Sequence, residues 1–321
     1  MLGEFDLINK FFKFATSSRS DVLLGIGDDC ALLNIPDGQQ LAITTDTLVS
    51  GTHFPENLDA VSIGYKALSV NLSDLAAMGA EPACVTLCLT VPKIDTDWLS
   101  KFMQGFLELA KQYGVQLIGG DTTEGPLSIS VQAYGFIPEG KALKRSRARV
   151  GDTVFVSGTL GDAGLALKEN KEIKFSKSSL HFLMSRLNRP SPRIELGIAL
   201  RFFNASAIDI SDGLCKDLNH ICEESKKGMT IHLQLIPLSS ELKKYIRETG
   251  DWTLPLSAGD DYELAFTISP DLKDKFLRQT KELSIPVTEI GIVNEGKRVN
   301  VIDTDGLSLE IMDGYEHFKK K

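Results

Sequence analysis

The chain has 321 residues, of which 42% are apolar and 24% charged, with a formal net charge of −8. That length fits two ordinary domains better than one. The acidic balance and the lack of a long basic stripe exclude a nucleic-acid partner. No apolar run is long enough to span a bilayer, and the N-terminus lacks the basic region and apolar core of a signal peptide, so no membrane association is expected. Cys30, Cys84, Cys88, Cys215 and Cys222 lie in apolar or helical contexts and read as reduced, mostly buried thiols of a cytoplasmic protein, with Cys30 as a small core filler. No Cys-x-x-Cys occurs and the histidines are scattered, which excludes a zinc site.

In chain order, Gly3 to Phe14 has the apolar spacing of an amphipathic helix. Leu41 to Leu48 alternates as a strand does. Asp59 to Met78 is expected to be helical, with Asp59 as N-cap and Gly79 closing the end. Ala83 to Val91 reads as a strand, Asp95 opens a helix to about Tyr113, and Val115 to Ile118 and Leu127 to Phe136 read as further strands. From Pro138 to Gly151 the chain turns basic and poor in large apolar residues, the best boundary between two domains. A second unit opens with a strand from Asp152 to Ser157. It continues with a tight turn at Gly158 to Gly164 leading into a helix, a strand up to Ile210, a helix from about Asp212 to Glu224, and strands near Met229 to Leu235 and Glu263 to Ile268. Alternating strands and helices imply an α/β or α+β fold.

Short acidic clusters recur beside glycine, serine or threonine: Gly27-Asp28-Asp29, Thr44-Thr45-Asp46-Thr47, Ser73-Asp74, Gly119-Gly120-Asp121, Asp209-Ile210-Ser211-Asp212 and Gly259-Asp260-Asp261. Two carboxylates about 5 Å apart repel by roughly 3 kcal/mol at an effective dielectric near 20. Magnesium, which takes oxygen ligands and also holds phosphate oxygens, is the usual remedy. The pattern points to a metal–nucleotide site, although each cluster alone has a plainer reading. Asp46, at the end of its strand, suits cation ligation or a solvated turn. Asp74 stands in a stretch without other charge, one turn from Asn71, either as a ligand or in the first turn of a fresh helix capped by Ser73. Gly119-Gly120-Asp121 alone reads as a turn. Ser211 and Asp212 also suit a helix N-terminus with Ser211 as cap. Arg145 fits a phosphate contact or a solvated surface, and His53 a substrate contact or an ordinary loop.

Taken in order, Leu24-Gly-Ile-Gly-Asp-Asp-Cys-Ala-Leu-Leu33, Thr44-Thr-Asp-Thr-Leu48, Asn71-Leu-Ser-Asp-Leu-Ala-Ala-Met-Gly-Ala80, Ile118-Gly-Gly-Asp-Thr122, Ile208-Asp-Ile-Ser-Asp-Gly-Leu214 and Asp261-Tyr-Glu-Leu264 resemble the thiamine-monophosphate kinase family, a branch of the aminoimidazole-ribonucleotide synthetase superfamily. Ser18-Arg19 and Arg189-Pro-Ser-Pro-Arg193 make the resemblance specific to that branch, and it runs to Gly314-Tyr-Glu-His-Phe318. It implies a mixed α/β two-domain fold, with residues 1–138 as an ATP/Mg-binding and dimerisation domain and 150–321 as a C-terminal α/β domain completing the active site. N-terminal sheets would pair into a barrel in a homodimer. The implied activity is direct transfer of the ATP γ-phosphate to thiamine monophosphate, with several Mg²⁺ ions and no phosphoenzyme. By matching motif, Asp29, Thr44, Thr45, Asp46, Asp74, Asp121, Asp209 and Asp212 would be metal ligands, with Asp46, Asp74, Asp121 and Asp212 central to catalysis. Gly120, Asp121, Arg145 and Ser211 would hold ATP, and His53, Asp260 and Tyr315 the acceptor. Position 260 departs from the family pattern, which has Glu there. The alternatives are another ATP-dependent enzyme of the superfamily or a non-catalytic Mg–nucleotide sensor.

Overall fold

The structure is a computed structural model describing residues 6, 8–13, 16, 18–168, 173–309 and 314–315. The chain forms two compact units, Met1–Leu75 with Ala80–Gly140, and Ala76–Gly79 with Lys141–Lys321.

In the first unit, β1 (Val22–Leu24) and β2 (Leu32–Leu33) form a small ribbon. The main sheet contains β3 (Gln39–Val49), β4 (Glu81–Val91), β5 (Gln116–Glu124) and β6 (Ser128–Pro138) in the order β3-β6-β4-β5. β6 runs antiparallel to β3 and β4, while β4 and β5 are parallel. Two helices, α1 (Ala60–Ala77) and α2 (Thr96–Gln112), join the strands. Local chemistry sets their ends. The Asp59 carboxylate accepts the Ser62 N–H at 2.9 Å, and Asp95 accepts those of Asp97 and Trp98 at 3.1 and 3.0 Å. Gly79 and Gly114 follow in the left-handed region that closes a helix.

In β3, even-numbered Ala42, Thr44, Asp46 and Leu48 are more buried than odd-numbered Ile43, Thr45, Thr47 and Val49. The period of two thus sends Thr44 and Asp46 to one face and Thr45 to the other. Asp46 lies inside the strand, paired with Val131, rather than at its end as expected.

A second correction concerns Gly119-Gly120-Asp121, which stays in β5 and makes no turn. Gly120 has φ +144°, and a Cβ there would stand 1.9 Å from the Leu87 carbonyl oxygen. The glycine therefore serves close approach of β4, a tertiary cause that a local turn signal cannot report. Of the expected helix over Gly3–Phe14, Asp6 is helical and Ile8–Phe12 form a π turn that leaves Phe12 buried, followed by a turn at Lys13; residues 3–5, 7 and 14 lie outside the described residues. Cys30 is exposed, against expectation, because it belongs to a loop lining a cavity; Cys84, Cys215 and Cys222 are buried.

The second unit has a six-stranded sheet built from β7 (Thr153–Ser157), β8 (Ala207–Asp209), β9 (Gly228–His232), β10 (Leu264–Ile268), β11 (Val287–Asn294) and β12 (Val299–Ile302). Their order is β12-β9-β11-β7-β10-β8, antiparallel except for β12 on β9. The strand expected to reach Leu235 stops at His232, where the chain tightens into a 3₁₀ turn at Leu233–Leu235. Helices α3 (Asp162–Leu167), α4 (Lys177–Asn188), α5 (Ile194–Leu200), α6 (Leu214–Ser225), α7 (Ser240–Thr249), α8 (Thr253–Ser257) and α9 (Lys273–Thr280) complete it. Its core combines Val154, Val156, Ile208, Ile210, Leu214, Leu218, Ile221 and Met229, all nearly inaccessible. No helix among the described residues is long and apolar enough to cross a membrane.

Helices α1 and α2 meet through reciprocal glycines. A Cβ on Gly64 would lie 1.9 Å from the Phe102 carbonyl oxygen, and one on Gly105 would lie 1.8 Å from that of Val61. Gly64→Ala or Gly105→Ala should therefore destabilise the protein by about 1–3 kcal/mol through overpacking. Thermal denaturation measures this, and an unchanged midpoint would mean that the helices separate at no cost.

Candidate functional site

On the buried face of β3, Thr44 and Asp46 point to α1. The Thr44 hydroxyl donates to the Asp74 carboxylate, and the Asp46 N–H donates to Asn71 Oδ1 at 3.1 Å. Asn71 is fully buried, and its amide donates to the Ala67 carbonyl, which fixes its orientation. Ser73 and Asp74 lie inside the continuous helix α1, so the reading of a fresh helix capped by Ser73 is excluded. Desolvation first, and the neighbouring Asp74 charge second, push the Asp46 carboxyl up to about 7.

A separate group occupies the other end of the sheet. Asp28, Asp29, Cys30, Gly119, Gly120, Asp121 and Thr122 line a cavity of about 930 Å³. Asp29 and Asp121 are exposed, and the Asp121 carboxylate accepts the Thr122 N–H at 2.9 Å. Thr45, on the face opposite Asp46, accepts from the Gln132 amide at 3.2 Å. Asp46, Val131, Leu87 and Gly120 lie in one row across the sheet. Three strand spacings therefore separate the backbones of Asp46 and Gly120, about 14 Å. The first unit thus has two acidic stations rather than one cluster. His53 follows β3 in a turn, and its Nδ1 accepts the Val49 N–H at 3.0 Å.

In the second unit Asp209 ends β8 and is buried, and Ile210–Gly213 turns into α6. Ser211 does not cap that helix, whose N-cap is Gly213 with no side-chain cap bond. Instead Asp217 Oδ2 accepts the N–H groups of Ser211, Asp212 and Gly213 at 3.0, 3.0 and 3.1 Å. One carboxylate at the positive end of the helix thus shapes the whole turn. Asp212 pairs with Lys216 at 2.7 Å, and the Tyr315 N–H donates to the Asp212 carbonyl at 3.2 Å. The Asp260 N–H donates to the Ser211 carbonyl at 2.9 Å. Asp209, Ser211, Asp212, Asp260 and Tyr315 therefore share one locality. Arg145 is exposed in a 3₁₀ turn, and its carbonyl accepts the hydroxyls of Ser206 and Ser225 at 2.9 and 2.6 Å.

The residues that shape this locality from behind escaped the sequence reading. Asp217 lies on the apolar stripe of Leu214, Leu218 and Ile221, and a charge in such a stripe was its available signal. Glu263, buried just before β10, accepts from Arg186 at 2.9 Å and from Arg193 at 2.5 and 2.6 Å. No local pattern announces those pairings.

The sequence matches the family model described as AIR synthase related protein, N-terminal domain, over residues 27–137, and its C-terminal counterpart over 149–304. The thiamine-monophosphate kinase of Escherichia coli is 48% identical over 320 residues, 98% of either chain. The chain belongs to the thiamine-monophosphate kinase family. Its fold is the mixed α/β two-domain fold of AIR synthase-related proteins. A crystal structure of the thiamine-monophosphate kinase from Stenotrophomonas maltophilia superposes with a TM-score of 0.86 at 45% identity, covering 96% of this chain and 98% of the other. A structure described as AaThiL complexed with AMPPCP and TMP gives a TM-score of 0.76 at 34% identity, with coverage of 98% and 97%.

Among the described residues, no three acidic, histidine or cysteine side chains already form a cation cage. The donor set nonetheless suits Mg²⁺, since carboxylates and hydroxyls are its preferred ligands, and a cation would relieve the cost of ionising Asp46 beside Asp74. The sign of the pH effect follows. Between its ordinary value of 3.8 and about 7, Asp46 is protonated when folded and ionised when unfolded. Its contribution to the metal-free fold is therefore lost as pH rises through that window. Asp46→Asn should raise the metal-free melting temperature more at pH 8 than at pH 5, and scanning calorimetry at the two values checks it. An equal shift at both would show that the carboxyl titrates normally.

Proposed function

We propose that the chain transfers the γ-phosphoryl group of ATP directly to thiamine monophosphate, giving thiamine diphosphate and ADP. One observation carries this reading: the 34% identical structure described with AMPPCP and TMP matches along 98% of the chain. The acidic stations described above occur at the motifs by which the sequence resembles the family.

In this reading the acceptor supplies its own nucleophile. A phosphate oxygen of thiamine monophosphate forms the new P–O bond as the bond between the γ-phosphorus and the bridging oxygen breaks, and ADP leaves. No strong base and no phosphoenzyme are needed; catalysis rests on positioning and charge neutralisation. Asp29, Thr44, Thr45, Asp46, Asp74, Asp121, Asp209 and Asp212 would hold several Mg²⁺ ions. When bound, these supply neutralisation of the phosphate oxygens. Gly120, Asp121, Arg145 and Ser211 would contact ATP. At Gly120 the contact would be made by the main chain, and Arg145 offers a fixed planar fork. His53, Asp260 and Tyr315 would contact the acceptor.

Residues 1–138 would form the ATP/Mg-binding and dimerisation domain, and 150–321 the domain that completes the site. We further propose a cytoplasmic homodimer. The open face of β3 supports pairing of sheets, since Ile43 and Val49 are 55% and 37% exposed on it.

Incubation with Mg-ATP and thiamine monophosphate should yield thiamine diphosphate and ADP in equal amounts. Nucleotide binding without product would identify a sensor instead. Asp74→Asn should reduce kcat by about two orders of magnitude or more while leaving the fold intact; near-normal turnover would remove Asp74 from the metal set. Asp260→Ala should raise KM for thiamine monophosphate more than KM for ATP, and the reverse pattern would relocate the acceptor pocket.

A further inference from the structure

We propose that Tyr262 is a positioning residue for the acceptor site, its phenol holding the Asp260 carboxylate in place from a backbone locked in a left-handed conformation. The proposal rests on the reading of Asp260 as an acceptor contact.

Five non-glycine residues among those described have positive φ: Asn204, Lys226, Asp260, Tyr262 and Ser284. Asn204, Lys226 and Ser284 each close a helix or 3₁₀ turn, where that conformation is routine. Asp260 at φ 67° and Tyr262 at φ 50° close nothing. A short polar Asp tolerates this region, but a bulky aromatic residue rarely adopts it. Glycine at 262 would take the same backbone conformation without steric cost, so the backbone alone does not account for a tyrosine there.

The surroundings hold both residues in that conformation. The chain from 260 to 263 runs beside the Ile210–Ser211 turn, with Asp260 N–H donating to the Ser211 carbonyl at 2.9 Å and Tyr262 N–H to that of Ile210 at 2.8 Å. The Ile210 N–H returns a bond to the Glu263 carbonyl at 2.8 Å. The two odd-numbered side chains anchor this stretch inward. Asp261, buried, accepts the Gly161 N–H on both carboxylate oxygens at 3.0 and 2.8 Å. Glu263 accepts from Ser157 at 2.5 Å as well as from Arg186 and Arg193. Strain held by such over-determined surroundings collects at functional sites.

The two even-numbered side chains remain partly accessible and meet each other. The Tyr262 phenol donates to Asp260 Oδ1 at 3.1 Å. A donor on one carboxylate oxygen holds the rotamer of Asp260. Asp261 and Glu263 thus act through the backbone, and Tyr262 acts directly on the side chain that is to meet the acceptor.

The test is a double-mutant cycle read in steady-state kinetics. Tyr262→Phe keeps the ring and removes only the donor. It should raise KM for thiamine monophosphate about tenfold, as for loss of one hydrogen bond to a charged group, with kcat and KM for ATP within about twofold. Tyr262→Gly, which releases the strain and also lacks the donor, should give the same rise. Added to Asp260→Ala, Tyr262→Phe should have no further effect, because its target is gone. An unchanged acceptor KM in Tyr262→Phe, with a raised one in Asp260→Ala, overturns the role of Tyr262 alone. Equal effects of Tyr262→Phe in the presence and absence of Asp260 overturn it as well. An unchanged acceptor KM in Asp260→Ala removes the acceptor-site reading and this proposal with it.

Discussion

Placing two carboxylates together beneath a sheet is the constraint from which the chemistry of the first unit follows. Asp74 accepts the Thr44 hydroxyl, and the main chain at Asp46 is tied to the Asn71 amide. These donors are neutral: they orient the acids without cancelling their charge, and burial holds Asp46 protonated up to about pH 7. The second unit buries an acid differently. Glu263 is surrounded by two guanidinium groups and the Ser157 hydroxyl, all within hydrogen-bond distance. A carboxylate so paired is part of the scaffold, since removing either partner would strand a buried charge. At Asp46, by contrast, burial and the neighbouring Asp74 charge both oppose the ionised form.

Much of the fold was legible because its signals are local. Asp59 and Asp95 cap their helices through their own neighbours, Gly79 and Gly114 close them, and the alternation of β3 shows in its burial. What the sequence did not disclose depends on contacts made by chain far away. Gly120 resembles a turn glycine, yet its missing Cβ serves the Leu87 carbonyl on the adjacent strand. Ser211 resembles a cap, yet the donors at that helix start go to Asp217, a turn later. The acids of the candidate site were individually visible. Their separation across the width of one sheet was not, because that follows from strand order.

Glycines set how closely the second unit can draw its network together. A Cβ at Gly158 would stand 2.1 Å from Glu263 Oε1, and one at Gly161 would stand 2.7 Å from the Pro255 nitrogen. The turn after β7 thus admits the Glu263 carboxylate because Gly158 has no side chain, and the same turn offers the Gly161 N–H to Asp261. The tight turn read in the sequence at Gly158 to Gly164 is thus a receptor for the protein's own carboxylates.

That division of labour fits a reaction in which the protein makes no covalent bond. Where the acceptor carries its own nucleophilic oxygen and ATP its own leaving group, rate depends on how firmly two anions are held in line. Firm placement requires rigid supports, and the second unit concentrates its buried ion pairs and its strained backbone directly behind Asp209, Asp212 and Asp260. The costs of burying Glu263 and of a left-handed Tyr262 are met when the chain folds, before any substrate arrives. The carboxylate that guanidinium groups compensate, Glu263, thus belongs to the frame, which stands complete in the absence of any anion.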